Sequence, residues 1–210
     1  MKKTFVLVVL FIFPLVAYLF FASGVNNFGK LPTLTENVPD ISQVDSSVTL
    51  DGKITILGFL GSDVEGKKGN AFNLNQKIYK RFSEFQDFQM VMVVPEESRN
   101  QIEPLREELS ELSDDQRWNF ALGSNEAILA FFQELKTDIT LDADLYTPYV
   151  FIIDKDRNLR GRNDDEDEGV KFGFNTTSVA ELNNKMEDDV KIILAEYRLA
   201  LKKNNADRIK

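Results

Sequence analysis

The sequence predicts an α/β domain in which helices cover both faces of a mixed, mainly parallel sheet. Short, almost uninterrupted apolar runs recur along the chain, as expected for strands that are buried on both faces. Stretches with apolar residues three or four positions apart, typical of amphipathic helices, separate these runs. The resulting order, β-α-β-α-β-α-β-β-α, indicates a sheet between two helical layers.

The first 23 residues form a segment of their own. An apolar run without charges, Phe5–Ala22, follows Lys2 and Lys3. As a helix, Thr4–Ala22 would extend roughly 28 Å, close to the thickness of a bilayer's hydrocarbon core. We therefore predict a transmembrane anchor at residues 1–23, with the lysines in the cytoplasm and the rest of the chain outside it. A cleaved signal peptide is the alternative, although the apolar run is longer than such a peptide usually has.

The chain after the anchor divides into three parts. Residues 24–46 have the Gly-, Asn-, Pro- and Ser-containing composition of a tether and lead-in, residues 47–203 form the domain, and residues 204–210 are a polar tail. A short strand is predicted at Val48–Leu50. The other strands are predicted at 54–60, 88–94, 118–122 and 149–153, with a hairpin partner beginning at 159. Helices are predicted at 70–85, 102–112, 124–135 and 178–201, and Ser124 and Ser178 are expected to be their N-caps where they begin.

The composition excludes several kinds of chemistry. The chain has no cysteine and no histidine, which excludes disulfides, thiolate nucleophiles, imidazole bases and metal sites built from either side chain. Two of the 25 basic residues and none of the 34 acidic residues lie in the anchor, so the remainder carries 23 basic against 34 acidic residues and a net charge of −11. This charge repels phosphates, and we exclude nucleic acid as the main ligand.

Four segments resemble the Sco/SenC branch of the thioredoxin superfamily. Ile54–Ser62 matches the first core strand with its active-site loop, and Gln116–Ser124 matches a Trp-x-Phe-x-x-Gly segment. Thr147-Pro148 matches a proline that is cis in the superfamily, and Ile153–Arg162 matches an Ile-Asp-Lys-x-Gly-x-Ile-Arg-Gly hairpin. The resemblance covers residues 31–200 and implies a thioredoxin-like three-layer α/β/α sandwich. It also implies a membrane-tethered protein of the kind that inserts copper into cytochrome oxidase or reduces thiols.

The residues that perform this family's chemistry have no counterparts here. The Cys-x-x-x-Cys pair falls near Val64 and Lys68, within a predicted loop at Ser62–Asn70, and the metal-binding histidine falls near Tyr146. None of these three side chains can bind copper as a thiolate or an imidazole, and thiol–disulfide exchange requires sulfur. The resemblance therefore implies a degenerate member, for which we expect no catalytic residue, no cofactor and no metal.

The remaining candidate site is a groove. In the relatives, the active-site loop and the proline flank a surface that pairs with an extended peptide, and the matching positions here are Ser62, Asp63, Thr147 and Pro148. We expect a non-catalytic binding or assembly module with a protein partner at the membrane, and the resemblance suggests a role near respiratory-complex assembly. The alternatives are an envelope enzyme that uses carboxylates such as Asp63 or a divalent cation, and a passive envelope protein. The expected location is the inner (cytoplasmic) membrane, spanned once, with the domain facing the periplasm or the cell exterior.

Several other features allow two interpretations. The acidic run 163–169 predicts a solvated, mobile loop, with weak cation binding as the alternative. The Asp154–Asn158 segment has partial EF-hand spacing, but a hairpin turn is preferred. Trp118 is expected in the core. Phe172 and Phe174 form either a partner-facing patch or part of the core.

Overall fold

The structure, a computed structural model, describes residues 9–16, 18, 29–113 and 116–207, the last eight of them by backbone alone. Residues 9–16 and 18 are helical. Among the residues described, no helix has both the length and the apolar character needed to cross a membrane. The rest of the predicted anchor at 1–23, and residues 208–210 of the predicted tail, lie outside the described residues.

The strands form one large mixed sheet and one small hairpin. Within the described residues they are β1 (Thr33–Thr35), β2 (Ile54–Phe59), β3 (Phe88–Pro95), β4 (Trp118–Gly123), β5 (Tyr149–Ile153), β6 (Leu159–Arg160), β7 (Arg162–Asp165), β8 (Gly169–Lys171) and β9 (Phe174–Asn175). The sheet order is β1-β6-β5-β2-β3-β4, β9 pairs with β5, and β7 and β8 form the hairpin. Strand β3 is parallel to β2 and β4, but the other pairings are antiparallel. The sheet is mixed, as predicted, but it is not mainly parallel.

The helices follow the predicted order and contain π turns. They are α1 (Val64–Leu74), which continues through a π turn at Asn75–Tyr79 into α2 (Lys80–Phe82), then α3 (Ile102–Leu112), α4 (Asn125–Gln133), and α5 (Val179–Glu181), which continues through Leu182–Met186 into α6 (Glu187–Asp207). The amide of Ala127 donates to Ser124 Oγ and that of Glu181 to Ser178 Oγ, both at 3.2 Å. Both predicted serine caps are confirmed.

A hydrophobic core lies on each face of the large sheet. Successive residues of β2 point to opposite faces, so Ile56 packs with α1, α3 and α6 while Leu57 packs with α4. On the α4 face, Phe59 and Phe132 make an edge-to-face contact with 5.0 Å between ring centroids. Trp118 is buried as expected. The three-layer arrangement predicted from the alternating elements is confirmed.

The segment before β2 differs from the prediction. Val48–Leu50 is not a strand, because the Leu50 amide donates to the Asp40 carboxylate at 2.7 Å instead of to a neighbouring strand. The strand that precedes β2 is β1, which pairs antiparallel with β6. Val38 and Ile41 are buried in the core on the α4 face. Part of the predicted tether and lead-in is therefore packed against the body.

The acidic run is a folded hairpin, not a mobile loop. It contributes to β7 and β8, and Asp165 is buried. Lys185 Nζ contacts the Asp165 carboxylate at 2.7 Å and the Asp167 carboxylate at 2.7 Å. Sequence reasoning failed here because the neutralising lysine comes from the π turn twenty residues away.

Two ambiguous segments are resolved by the structure. The Asp154 carboxylate accepts the amides of Asp156 and Asn158 at 3.0 and 2.8 Å, so this segment is the predicted turn between β5 and β6. Phe174 is fully buried, and Phe172 is partly buried against the core on the α4 face. Both phenylalanines therefore contribute to packing.

Candidate functional site

The segment that would carry the active-site loop is a tight turn followed directly by a helix. Gly61 has a φ of 67°, and a Cβ there would lie 2.5 Å from the Asp144 carbonyl oxygen, so the turn requires glycine. The next amide, that of Ser62, donates to this carbonyl at 3.0 Å. Helix α1 begins at Val64, with the Asp63 carboxylate accepting the Gly66 amide at 3.0 Å. The predicted loop at Ser62–Asn70 is wrong because Asp63 caps a helix despite the two glycines in its first turns.

A second element fixes this turn from the opposite side. The Ser62 carbonyl accepts hydrogen bonds from Ser98 Oγ and Gln101 Nε2, both at 2.9 Å. Ser98 and Gln101 belong to the 3₁₀ turn Glu96–Gln101, which precedes α3. The backbone of Ser62 is therefore used in holding the fold together, and the Asp63 carboxylate is used as the helix cap.

The two positions that match the family's cysteines hold unreactive side chains. Val64 is fully buried in the core beneath α1. Lys68 Nζ lies 2.5 Å from the Glu65 carboxylate and 3.0 Å from the Glu108 carboxylate on α3. Hydrogen bonds to Glu65 and Glu108 raise the pKa of Lys68 above its ordinary value, so its amine stays protonated near neutral pH.

The position that matches the metal-binding histidine is held by contacts with α1. Asn70 Nδ2 donates to the Tyr146 hydroxyl at 2.6 Å, and Lys67 Nζ lies 4.6 Å from the centroid of the Tyr146 ring. A bridge between Leu60 and Tyr146 connects the same residue to the end of β2. The structure therefore brings Tyr146 beside α1, the helix that carries Val64 and Lys68.

Sequence reasoning missed the side chains that complete this cluster. Lys67, Asn70 and Glu108 hold Tyr146 and Lys68, although none of them matches a family position. Lys67 and Asn70 lie close in sequence to the positions that match the cysteines, so recognising α1 as a helix would have identified them as neighbours of the site. Glu108 lies on another helix, and nothing local indicates its role. In the described part of the chain, no three acidic side chains form a group that could hold a metal ion.

Thr147 and Pro148 differ from the expected arrangement. The described residues contain no cis peptide bond, so the bond before Pro148 is trans, unlike that of the superfamily's proline. The Pro148 carbonyl accepts the amide and the hydroxyl of Thr176, at 2.9 and 2.7 Å. Strand β9 then pairs with Tyr149 and Val150 at the start of β5. The hydrogen-bonding capacity of the Pro148 carbonyl is therefore already used by Thr176 of the same chain.

The structure places Ser62 and Asp63 directly before α1, and Thr147 and Pro148 directly before β5. Thr147 and Pro148 border a cleft of about 340 Å³, whereas Ser62 and Asp63 are absent from its walls and lie at the start of α1. The other residues that line this cleft are Asp138, Ile139, Thr140, Tyr149, Glu168 and Phe172. The walls of the cleft combine polar and apolar side chains, and Val64, Lys68 and Tyr146 are not among its lining residues.

The comparisons with known proteins show what the fold is similar to. No family model and no curated protein matches the sequence. Among solved structures, BsSco, a member of the Sco family of cytochrome c oxidase assembly proteins, is similar with a TM-score of 0.53 and 14% identity, over 78% of this chain and 97% of that one. The fold is thioredoxin-like, and its structural neighbours are Sco/SenC proteins.

Two further solved structures are similar in fold to this domain. A candidate electron transfer protein of Aquifex aeolicus gives a TM-score of 0.50 and 16% identity, over 77% of this chain and 92% of that one. A SCO1/SenC family lipoprotein of Bacillus anthracis gives a TM-score of 0.47 and 18% identity, over 69% of this chain and 83% of that one. The chain thus has a thioredoxin-like fold similar to that of BsSco, and it contains no cysteine.

Proposed function

We propose that this Sco-like domain is a non-catalytic binding or assembly module. The observation that carries the proposal is the state of the three positions matching the family's reactive residues. Val64 is part of the core, Lys68 is paired with two carboxylates, and Tyr146 is held by Asn70 and Lys67. Each of these side chains contributes a structural contact at the place where a redox protein needs an accessible thiolate.

The proposal includes a position at the membrane. The uncharged run Phe5–Ala22 supports a single anchor at the inner membrane with the domain on the outer side. Such an anchor confines the domain to a thin layer, which raises its effective concentration toward membrane partners without any additional contact. A role near respiratory-complex assembly is supported by the likeness to BsSco, which is a cytochrome c oxidase assembly protein.

Crosslinking in native membranes tests the partner. The full chain with a C-terminal affinity tag would be crosslinked, solubilised and captured, and its partners identified by mass spectrometry. The control carries the same residues 1–28, which precede the part packed against the body, in front of an unrelated soluble domain. We expect oxidase subunits or copper-handling proteins to be enriched by the full chain alone. Equal recovery by the control, or no reproducible partner, would contradict the assembly role.

Copper titration tests the non-catalytic part separately. The purified full chain is titrated with Cu(I) and Cu(II) in the presence of a competing chelator. We expect no stoichiometric site of sub-micromolar affinity, because no thiolate or imidazole is available. A tight one-to-one copper site would overturn the proposal.

A further inference from the structure

The cleft beside Thr147 and Pro148 has walls of unusual composition. Two aromatic rings, those of Tyr149 and Phe172, line it together with two carboxylates, those of Asp138 and Glu168. No lysine or arginine is among its lining residues. Its volume of about 340 Å³ is at the low end for small-ligand sites, and it suits a single long side chain.

The described residues around this cleft neutralise its carboxylates only in part. Asp138 is exposed, and no described side chain forms an ion pair or hydrogen bond with it. Glu168 contacts the buried Lys171 ammonium at 2.6 Å, but the same ammonium contacts Glu181 at 2.7 Å. One ammonium shared by two carboxylates leaves a net negative charge, to which Asp138 adds a second. The cleft therefore favours a positively charged ligand.

The aromatic walls narrow the class of cation. Tyr149 and Phe172 line the cleft, and both are partly buried against the core. A cation over such a ring is attracted by its quadrupole, and the planar guanidinium of arginine also stacks on the ring and is weakly hydrated. A hard metal ion prefers six or more oxygen ligands, which two separate carboxylates and two rings do not supply.

We propose that the cleft binds an arginine side chain presented by a protein partner. The guanidinium would lie between the carboxylates of Asp138 and Glu168, with its plane against the ring of Tyr149 or Phe172. The inference deepens the proposed function and relies on it only for the partner being a protein. The preference for arginine follows from the composition of the cleft itself.

Peptide titration tests this preference directly. The full-length protein is titrated by calorimetry with the amidated peptide Gly-Gly-Arg-Gly-Gly and, for comparison, with the same peptide carrying uncharged, equally shaped citrulline. We expect the arginine peptide to bind at least several-fold more tightly, and its affinity to decrease as salt is added. Equal affinities, an affinity insensitive to salt, or no detectable binding of the arginine peptide would overturn the proposal.

Variants locate the binding. Asp138→Asn should weaken binding of the arginine peptide about threefold, as expected for removal of one exposed charge. Glu134→Gln removes an exposed charge outside the cleft and should leave the affinity unchanged. Thr140→Lys places a competing cation at the rim, on an exposed residue that tolerates replacement, and should abolish binding. Unchanged binding by the Thr140→Lys protein would refute the site. Peptide binding without any captured membrane partner would contradict the proposed function and leave the cleft inference standing.

Discussion

Replacing Arg160 tests the interaction that ties both ends of the folded chain to the sheet. Arg160 is 7% exposed. Its guanidinium donates to Asp154 Oδ2 at 2.9 Å, to Glu196 Oε2 on α6 at 2.9 Å, and to the Leu31 carbonyl from Nε at 2.9 Å. Methionine retains the apolar stem of the side chain, so Arg160→Met removes the charge and the hydrogen bonds while leaving most of the packing.

The cost of this substitution comes mainly from the carboxylate that remains. Asp154 is 1% exposed, and removing one partner of a buried ion pair typically costs about 3–5 kcal/mol. Because Asp154 still accepts two backbone amides in its turn, at 3.0 and 2.8 Å, we expect a value at the lower end. A loss of about 3 kcal/mol in the free energy of unfolding corresponds to a fall of about 9 °C in Tm for a domain of this size.

Urea titration followed by tryptophan fluorescence measures this loss, because the single tryptophan, Trp118, is buried in the core. The matched control is Arg198→Met, which removes an exposed arginine two residues after Glu196 on α6 and should change the free energy of unfolding by no more than about 0.5 kcal/mol. If Arg160→Met costs less than about 1 kcal/mol, or no more than the control, the reasoning from burial is wrong.

Three further predictions concern other parts of the fold. Burial raises the pKa of Asp40, but hydrogen bonds from Leu50, Thr49, Ser42 and Ile41 outweigh it and hold the pKa below its ordinary value. The ionised Asp40 carboxylate therefore stabilises the fold fully above about pH 4, and this stabilisation is lost as pH falls through the lowered pKa. In urea titrations, Asp40→Asn should lower the free energy of unfolding by about 1 kcal/mol at pH 6 and by progressively less below pH 4. Gly61→Ala should lower the free energy of unfolding by at least about 2 kcal/mol, because its Cβ would meet a backbone oxygen. Gly52→Ala, at a similar positive φ but with nothing within 4 Å of the added Cβ, should lower it by about 1 kcal/mol. Equal losses for the two variants would contradict the steric argument. Lys171→Met leaves Glu168 and Glu181 without their buried ammonium and should cost about 3 kcal/mol by thermal unfolding. Arg99→Met, which removes the exposed pair with Glu96, should cost less than about 1 kcal/mol, and the reverse ranking would refute the role of burial.

The parts of the fold that follow from local periodicity could be predicted from the sequence. The apolar runs at residues 54–60, 88–94, 118–122 and 149–153 coincide with β2, β3, β4 and β5 to within one or two residues. Such runs identify strands because a strand covered on both faces must be apolar at every position. The serine caps were also visible, because a cap is a local interaction between a side chain and an amide two or three residues away.

Elements that depend on distant partners could not be predicted in this way. Strand β1 follows a proline and has only three residues, of which one is exposed, one half-buried and one buried, and only its pairing with β6 makes it a strand. The antiparallel partners of β5 likewise leave no local pattern, which is why the sheet was expected to be mainly parallel. The β7–β8 hairpin resembles a solvated loop in sequence, because Lys185, which pairs with both Asp165 and Asp167, lies in a later segment.

The candidate site shows the same division between local and distant information. The absence of cysteine and histidine follows directly from the sequence, and the match of Val64, Lys68 and Tyr146 to the family's reactive positions stays a prediction. What surrounds those positions could not, because Glu108 approaches Lys68 from another helix and Thr176 reaches Pro148 from β9. Of the predicted groove residues, Thr147 and Pro148 border the cleft, and Ser62 and Asp63 lie at the start of α1.

The contacts at the three family positions bear on where any function must lie. A reactive thiol pair has to stay accessible, and its loop carries few stabilising contacts of its own. Here Val64 adds to the core, Lys68 connects α1 to α3 through Glu108, and Tyr146 connects the loop before β5 to α1 through Asn70. Restoring an accessible pair would require breaking these contacts, because the side chains that make them occupy the same positions. A binding role is therefore best sought on the surface that stays open and charged, which is the cleft bordered by Asp138 and Glu168.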